Sequence, residues 1–382
     1  MAAEKIKKWL FRFLLLALCL PMLQHKLHLA KIRPLQGAYY FAPQTAFSAK
    51  KWFDGTYQDE KTRYMNDHFG FHQYFVRVNN QLNFNLFNAV TCDVVPGKDN
   101  YLYQSEYVRD YYGQDARDTA RAKQVLFKFK KLQDTLERLG KTVVLVYAPS
   151  KPDYYPQFLP PPRGKVRYGY TCQKLYQPIA DSLGIHQVDI NNWFLSMKPE
   201  YGKYLMSSLG IHWTVFGAAL AADSMIKYIE RARHINMPHL IMGNTEYVDT
   251  ARVSDDDLAQ IINIVFPLAH ETYRYPAIRY DNDSTKKKPK VLYLGDSFIW
   301  TLISNGMMQY ANTDWRYWYY FHEEIDQYQI DNHTAPTAIA QVDWLKTVNE
   351  SDCIVLLYTS HNLKDFGNGF VEKAYDHYYP AK

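Results

Sequence analysis

Cysteine is scarce in this sequence and is not arranged to bind a metal. The 382 residues include four cysteines, none of them in a C-x-x-C pair or at zinc-site spacing from a histidine. His68 and His72 have the i, i+4 spacing of a zinc protease, but no glutamate lies between them. We therefore predict no metal site and no cofactor.

The sequence also lacks a strong excess of charge. Its net charge is +5 with 22% charged residues, and three of the lysines form the run Lys286-Lys287-Lys288, which is typical of a solvated loop. We find no nucleotide-binding loop, internal repeat, heptad pattern or low-complexity tract. This composition argues against a nucleic-acid partner and is typical of a globular protein.

Long apolar runs are limited to the amino terminus. Lys5, Lys7 and Lys8 precede an apolar run over Trp9–Leu23, which is shorter than the roughly 20 residues of a full membrane span. We predict that residues 1–30 form an uncleaved signal anchor in the cytoplasmic (inner) membrane, with the rest of the chain in the periplasm or another extracytoplasmic space. A cleaved signal peptide and a buried helix of a soluble protein are the alternatives.

The remainder of the chain alternates between strand and helix patterns. Buried strands are predicted at Thr142–Ala148, His186–Ile190, 290–295 and Ile354–Tyr358, with helices between them. This alternation predicts an α/β fold with a parallel sheet flanked by helices. We place the main domain at 116–382, with a weakly periodic insertion near 235–285. Residues 31–115, including a predicted helix over 62–88, form a helical and extended segment packed on the main domain.

The most informative stretch is the strand that ends at Gly295-Asp296-Ser297. A serine at the carboxyl edge of a parallel sheet lies where α/β folds place their sites, and it acts as a nucleophile when a base is beside it. His212, in Gly210-Ile211-His212-Trp213 at the start of a predicted helix, is the best candidate base. The local pattern fits equally a helix cap at Ser297 and a structural histidine.

Two other features concern substrate contacts. Lys151 and Tyr154 follow the strand at 142–148, so we expect them to border the same cleft, where Lys151 either contacts an anionic sugar or lies in a solvated loop. The chain also contains 33 tyrosines. Tyrosine has a flat apolar face and a hydroxyl, which suits stacking on sugar rings as well as an aromatic core.

Five motifs in a fixed order resemble one known family. They are the x-x-His-Trp-x-x-x-Gly-Ala stretch around His212, the Gly-Asp-Ser-Phe that contains Ser297, and segments at 97–103, 148–160 and 362–370. Together they resemble the SGNH-hydrolase-like domain of alginate O-acetyltransferases. Ordinary SGNH esterases place the serine early and the histidine late, whereas in this family and in this chain the order is permuted.

The resemblance implies an SGNH-hydrolase-like fold and a function. The family transfers acetyl groups to hydroxyls of an exopolysaccharide outside the cytoplasmic membrane. By position, Ser297 is the nucleophile and His212 the general base, so an acetyl-serine forms. The Ser297 backbone N–H is expected in the oxyanion hole, with Asn305 and Asn362 as further candidates. The resemblance also implies a polytopic membrane-bound O-acyltransferase as the partner that supplies acetyl groups.

The chain departs from the family at Gly210, where members carry the aspartate of Asp-x-His. Loss of such an acid costs roughly 10⁴ in rate. Three interpretations remain: another carboxylate, with Asp189 as the candidate, orients His212; a backbone carbonyl does so; or the chain binds polysaccharide without catalysis. Because the family carries an aspartate at this position, Gly210→Asp is expected to raise acetyl-ester turnover or to leave it unchanged. An acetylesterase and a non-catalytic subunit of an acetylation or export complex are the alternatives to an acetyltransferase.

Overall fold

The computed structural model describes residues 2–37, 40–115, 118–162, 164–252, 254–268, 271–281 and 283–380. Residues 116–117, where we predict that the α/β domain begins, lie outside this description. The chain divides into two compact units. The first contains the residues up to Cys92 together with Ala259–Leu268, and the second contains Asp93–Leu258 and Ala269–Lys382.

The first unit is helical. Its helices are α1 (Ala2–Leu27), α2 (Ala49–Phe53), α3 (Thr56–His68) and α4 (His72–Phe87). The helix predicted over 62–88 is two helices, which are separated by residues 69–71. Phe71 has a φ of 67°, and a Cβ at Gly70 would lie 2.1 Å from the Pro21 carbonyl oxygen of α1. Within the described part of the chain, no helix combines the length and apolarity needed to cross a membrane.

The second unit contains the sheet and its helices. The strands are β1 (Val94–Pro96), β2 (Leu102–Gln104), β3 (Thr142–Tyr147), β4 (Gln187–Asp189), β5 (Leu240–Val248), β6 (Tyr273–Tyr280), β7 (Lys290–Gly295), β8 (Asp314–Tyr319), β9 (Glu323–Asp326), β10 (Thr337–Ala338) and β11 (Cys353–Tyr358). The helices are α5 (Ser105–Tyr111), α6 (Thr119–Arg138), α7 (Lys151–Tyr154), α8 (Cys172–Leu183), α9 (Ile190–Tyr201), α10 (Val215–Arg233), α12 (Phe298–Ser304), α13 (Gln327–Asn332), α14 (Trp344–Glu350) and α15 (Phe370–Tyr378), with α11 (Asp257–Ile261) beginning in this unit and ending in the Ala259–Leu268 part of the first.

The main sheet has seven strands in the order β10-β9-β8-β7-β11-β3-β4. Its five strands from β8 to β4 are parallel, and β9 and β10 extend one edge in antiparallel pairing. This confirms the predicted α/β class. The sequence patterns identify β3, β4, β7 and β11 but miss β8, β9 and β10.

Apolar residues cover both faces of the central strands, which explains why these strands are continuous apolar runs. One face buries Val144, Val146, Val291, Tyr293, Val355 and Leu357 against a cluster that includes α10 and α12. The other buries Val143, Leu145, Leu292, Leu294, Ile354 and Leu356 against a cluster that includes α6, α8 and α15. Because successive side chains of a strand point to opposite faces, each strand contributes to both clusters.

The insertion near 235–285 contains an antiparallel pair, β5 and β6, with α11 in the connection between them. We predict one helix near 254–265, and α11 is shorter than that. The two strands are absent from the prediction because their residues alternate irregularly, and the pairing shifts register between Met242 and Thr245. The connection from β5 to β6 carries Asp255 and Asp257 to the site described below.

Candidate active site

Ser297 lies at the carboxyl edge of the parallel sheet, immediately after β7 and before α12. Gly295 ends the strand where β11 approaches closely, because a Cβ there would lie 1.9 Å from the Leu357 carbonyl oxygen. Asp296 follows as a fully buried residue, and its carboxylate accepts the backbone N–H groups of Phe298 and Thr359. These contacts fix the turn that presents Ser297.

His212 reaches Ser297 from the segment that precedes α10. Its Nε2 lies 2.8 Å from Ser297 Oγ, so the two side chains are within hydrogen-bond distance. The imidazole ring packs on Phe298, with the centroids 4.9 Å apart, and the neighbouring Trp213 is fully buried against the same phenylalanine. The side chain that follows Ser297 thus fixes the position of its candidate base.

A carboxylate also contacts His212, and it belongs to Asp257 at the start of α11. Asp257 Oδ2 lies 2.6 Å from His212 Nδ1, and Oδ1 accepts the Ile211 backbone N–H at 2.8 Å. A carboxylate only accepts hydrogen bonds, so Nδ1 carries the proton and Nε2 is free to accept the Ser297 hydroxyl. Serine, histidine and aspartate therefore stand in the order that nucleophilic catalysis uses.

Gly210 is the position that allows Asp257 to reach the histidine. A Cβ at Gly210 would lie 2.7 Å from the Asp255 carbonyl oxygen and 2.9 Å from that of Ser254. Real Cβ atoms do not approach backbone this closely, so the segment leading to Asp257 fills the space that a side chain at 210 needs. The lack of a side chain at position 210 and the supply of the acid by Asp257 therefore follow from the same close packing.

The segment is fixed by Asp255, which is almost completely buried. Its carboxylate accepts the Val215 backbone N–H at the start of α10 and the Tyr275 hydroxyl from β6, and its carbonyl accepts the Ser207 hydroxyl. Burial raises the pKa of the Asp255 carboxyl to about 7. Asp255 thus connects the insertion to the segment that carries His212.

Placing the family's aspartate at position 210 is expected to damage the site, contrary to the expectation from the resemblance. Gly210→Asp must displace backbone at 254–255, which should cost about 1–3 kcal/mol of unfolding free energy. A shift of about 1 Å in Asp257 should slow acylation of Ser297 roughly a hundredfold. Denaturant unfolding and the rate of acylation by an activated acetyl ester measure the two effects.

Gly210→Ala is the matched control, because it introduces the same Cβ without a carboxylate. Both variants should lose activity if the steric conflict decides the outcome. Full activity in Gly210→Asp would show that the backbone at 254–255 moves aside at little cost and that the acid can act from either position.

Asp189 does not orient His212, which corrects the expectation from the sequence. Its carboxylate accepts the Asn192 backbone N–H at 2.9 Å as the cap of α9, and it also accepts the side-chain amides of Gln177 and Gln173. Asp257 has the role that we expected of Asp189. Position at the end of a strand suggested Asp189, but its side chain is used by the helix that follows.

Lys151 and Tyr154 are buried, which corrects their expected role as substrate contacts. Lys151 is 1% exposed, and its Nζ donates to the carbonyl oxygens of Ser208 and Gly210 at 2.7 and 2.6 Å. Burial lowers the pKa of this amine to about 7. Tyr154 is fully buried and donates its hydroxyl to the Gly202 carbonyl. Lys151 instead joins the end of β3 to the segment that carries His212.

The two asparagines suggested for the oxyanion hole differ in position. Asn305 follows the last residue of α12, and its Nδ2 donates to the Thr301 carbonyl at 2.7 Å, so it does not face Ser297. Asn362 Nδ2 donates to Asp296 Oδ2 at 2.9 Å, which places it beside the residue that precedes Ser297. The bond to Thr301 argues against Asn305, and the oxyanion-hole roles of Asn305, Asn362 and the Ser297 N–H stay predictions.

The part of the chain that the structure describes contains no group of three or more histidine, cysteine, aspartate or glutamate residues suited to hold a metal ion. Fold and site together define an α/β protein with a serine–histidine–aspartate arrangement at the carboxyl edge of a parallel sheet.

Comparison with known families gives the same result for the class of protein. A family model described as "SGNH hydrolase-like domain, acetyltransferase AlgX" matches residues 94–298, which is more than half of the chain and includes His212, Asp257 and Ser297. The chain belongs to this family.

Sequence identity to individual relatives is low. The chain is 26% identical over 162 residues to the probable alginate O-acetylase AlgJ of Pseudomonas putida, and this match covers 41% of the chain and 38% of that relative. The solved O-acetyltransferase domain of Pseudomonas putida AlgJ is 20% identical, with coverage of 74% of this chain and 99% of that one and a TM-score of 0.46. Pseudomonas aeruginosa AlgX is 15% identical, with coverage of 70% and 62% and a TM-score of 0.41.

Proposed function

We propose that this protein is an O-acetyltransferase that modifies hydroxyls of a surface or secreted polysaccharide through an acetyl-serine intermediate. The observation that carries the proposal is the continuous contact from Ser297 through His212 to Asp257, with 2.8 and 2.6 Å between the paired atoms. The family is an acetyltransferase family, and one relative is a probable alginate O-acetylase, which supports the acetyl group and the polysaccharide acceptor.

The first half of the reaction loads the serine. Ser297 Oγ attacks the carbonyl carbon of an acetyl donor while His212 Nε2 takes the hydroxyl proton. The donor's leaving group departs with that proton, and the acetyl group remains as an ester on Ser297. The Asp257 carboxylate accepts a hydrogen bond from Nδ1–H throughout, and its negative charge stabilises the imidazolium that forms during each transfer.

The second half transfers the acetyl group. A sugar hydroxyl attacks the acetyl-serine, and His212 takes its proton and returns it to Ser297 Oγ as the ester bond to the serine breaks. Water in place of the sugar would give an acetylesterase from the same residues, so the partition between the two acceptors separates transfer from hydrolysis. A non-catalytic subunit was suggested by the missing acid at Gly210, and Asp257 removes that argument.

We also propose, from the family resemblance, that a polytopic membrane-bound O-acyltransferase supplies the acetyl group and that residues 1–30 hold the protein at the cytoplasmic membrane. The lysines before Trp9 and the apolar run that begins at Trp9 support an orientation with the amino terminus in the cytoplasm and the rest of the chain outside the membrane.

Reporters fused to the carboxyl terminus test this location. A reporter that is active only after export should be active. Activity of a reporter that works only in the cytoplasm would refute the extracytoplasmic location.

A covalent adduct tests the catalytic proposal directly. Incubation of the protein with an activated acetyl ester should add one acetyl group, and peptide mapping should locate it on Ser297. Adding an oligosaccharide should then discharge the adduct into acetylated sugar faster than water does. An unmodified Ser297 after prolonged incubation would contradict the acetyl-serine mechanism.

A further inference from the structure

Partly exposed aromatic residues adjoin the turn that carries Ser297, and the proposed mechanism does not use them. Trp300 on α12 contacts Tyr319 at the end of β8, with their centroids 6.0 Å apart and their planes at 72°. Tyr319 contacts Tyr320 at 4.6 Å. We call Trp300, Tyr319 and Tyr320 the aromatic wall, and all three are neither buried nor fully exposed.

Backbone contacts place the aromatic wall next to the nucleophile. The Trp300 N–H donates to the Ser297 carbonyl in the first turn of α12, at 3.0 Å. Tyr319 pairs with Gly295 across β7 and β8, and the Tyr320 N–H donates to the Gly295 carbonyl at 3.0 Å. Each ring therefore belongs to a residue joined by a backbone hydrogen bond or strand pairing to the Gly295–Ser297 turn.

A buried tyrosine supports the aromatic wall from behind. Tyr317 is fully buried, its ring lies 5.5 Å from Trp300 and 5.8 Å from Tyr319, and its hydroxyl donates to the Asp296 carbonyl at 2.6 Å. Trp300 and Tyr319 pack against the core cluster that contains Tyr317. Trp300 and Tyr319 are thus held in place by the core and are still partly exposed, which is the combination that stacking on a flat apolar ligand surface needs.

Negatively charged side chains flank the two tyrosines of the aromatic wall. Glu323 pairs with Tyr319 across β8 and β9, and Asn362 Nδ2 donates both to Asp296 Oδ2 at 2.9 Å and to the Tyr320 hydroxyl at 3.4 Å. Burial, and to a smaller extent the Asp296 carboxylate, raise the pKa of both tyrosine hydroxyls. A uronate sugar would bring another carboxylate into this field, at an electrostatic cost. A neutral pyranose has no such cost and still offers an apolar C–H face.

We propose that the aromatic wall is the acceptor subsite of the catalytic centre and that it binds the pyranose rings of a neutral glycan by stacking, in preference to a polyuronate. This inference rests on the proposed function, because the subsite serves to bring a sugar hydroxyl to acetyl-Ser297. It adds the class of acceptor, which the family name leaves open for this chain.

Trp300→Ala tests the subsite through the fate of the acetyl-serine. After loading with an activated acetyl ester, the adduct partitions between water and an added acceptor, cellohexaose or an oligomannuronate of equal length. This ratio is independent of how fast Ser297 was loaded. In the wild type, transfer to cellohexaose should exceed transfer to oligomannuronate. In Trp300→Ala, the transfer-to-hydrolysis ratio with subsaturating cellohexaose should fall roughly tenfold.

Two further variants complete the experiment. Tyr328→Ala removes a tyrosine that is 69% exposed on α13, outside the aromatic wall, and should keep the wild-type ratio. Trp300→Phe keeps a ring and should restore most of the transfer, which a general distortion by Trp300→Ala would not predict. Preferred transfer to oligomannuronate, or an unchanged ratio in Trp300→Ala, would overturn the proposal.

A separate measurement distinguishes failure of the catalytic proposal from failure of the subsite. If wild-type Ser297 takes no acetyl group, the catalytic proposal fails, and binding of cellohexaose is measured by calorimetry with wild type and Trp300→Ala. Weaker binding in the variant would retain the aromatic wall as a glycan-binding surface. Equal binding, or no binding by either protein, would overturn the subsite as well.

Discussion

Ser297→Ala is expected to abolish the acetyl adduct and to reduce acetyl transfer by a factor on the order of 10⁶, because it removes the hydroxyl that lies 2.8 Å from His212 Nε2. The fold should survive. The change removes one hydroxyl and one hydrogen bond, which contributes about 1 kcal/mol to stability. Intact-protein mass spectrometry after incubation with an activated acetyl ester measures the adduct, and circular dichroism measures the fold.

Ser304→Ala is the matched control. Ser304 is the last residue of α12, the helix that Ser297 precedes, and it is exposed to solvent. The control should carry the same single adduct as the wild type. An adduct of equal yield in Ser297→Ala would mean that acetylation occurs on another residue, and the assignment of the nucleophile would then be wrong.

Asp257→Asn is expected to slow acylation of Ser297 by about 10⁴ while leaving the protein folded. The amide is close to the carboxylate in shape, so the contact with the Ile211 N–H can remain. It cannot stabilise an imidazolium, and its NH₂ group favours the tautomer in which Nδ1 accepts and Nε2 no longer takes the serine proton. Single-turnover acylation rates of the variant and the wild type give the factor.

Asp189→Asn distinguishes the two carboxylates considered for this role. Asp189 is bonded to α9 and to two glutamines, so its amide variant should change the acylation rate by less than about threefold. The reverse pattern, with a large loss in Asp189→Asn and little in Asp257→Asn, would show that the carboxylate at His212 does not govern its function.

The parts of the fold that the sequence predicts are those with a local signal. β3, β7 and β11 are short runs of apolar residues, because both of their faces are buried, and such runs stand out in a sequence. β8 reads Asp-Trp-Arg-Tyr-Trp-Tyr, in which charged residues interrupt the aromatic ones. β8 therefore forms a strand because it pairs with β7, and a local sequence pattern does not predict such pairing.

The candidate site likewise contains residues that the sequence predicts and residues that it does not. Ser297 and His212 lie in motifs with turn and helix signals, and the sequence is sufficient to pair them. Asp257 is 45 residues from His212 in a weakly periodic insertion, and its contact depends on the close packing against Gly210. Lys151 is predicted at the cleft because it follows the strand at 142–148, and no local pattern indicates that its amine is buried. The two carbonyls that it binds come from residues 57 and 59 positions away.

The close packing at Gly210 limits how this family can change over evolutionary time. An aspartate at 210 and the backbone of residues 254–255 compete for one volume, so the two sources of the acid exclude each other. A lineage that exchanges one for the other by single substitutions passes through a protein whose histidine has no carboxylate, at a cost of about 10⁴ in rate. Searches for Asp-x-His would class this chain with decayed homologues, although its histidine has an acid partner.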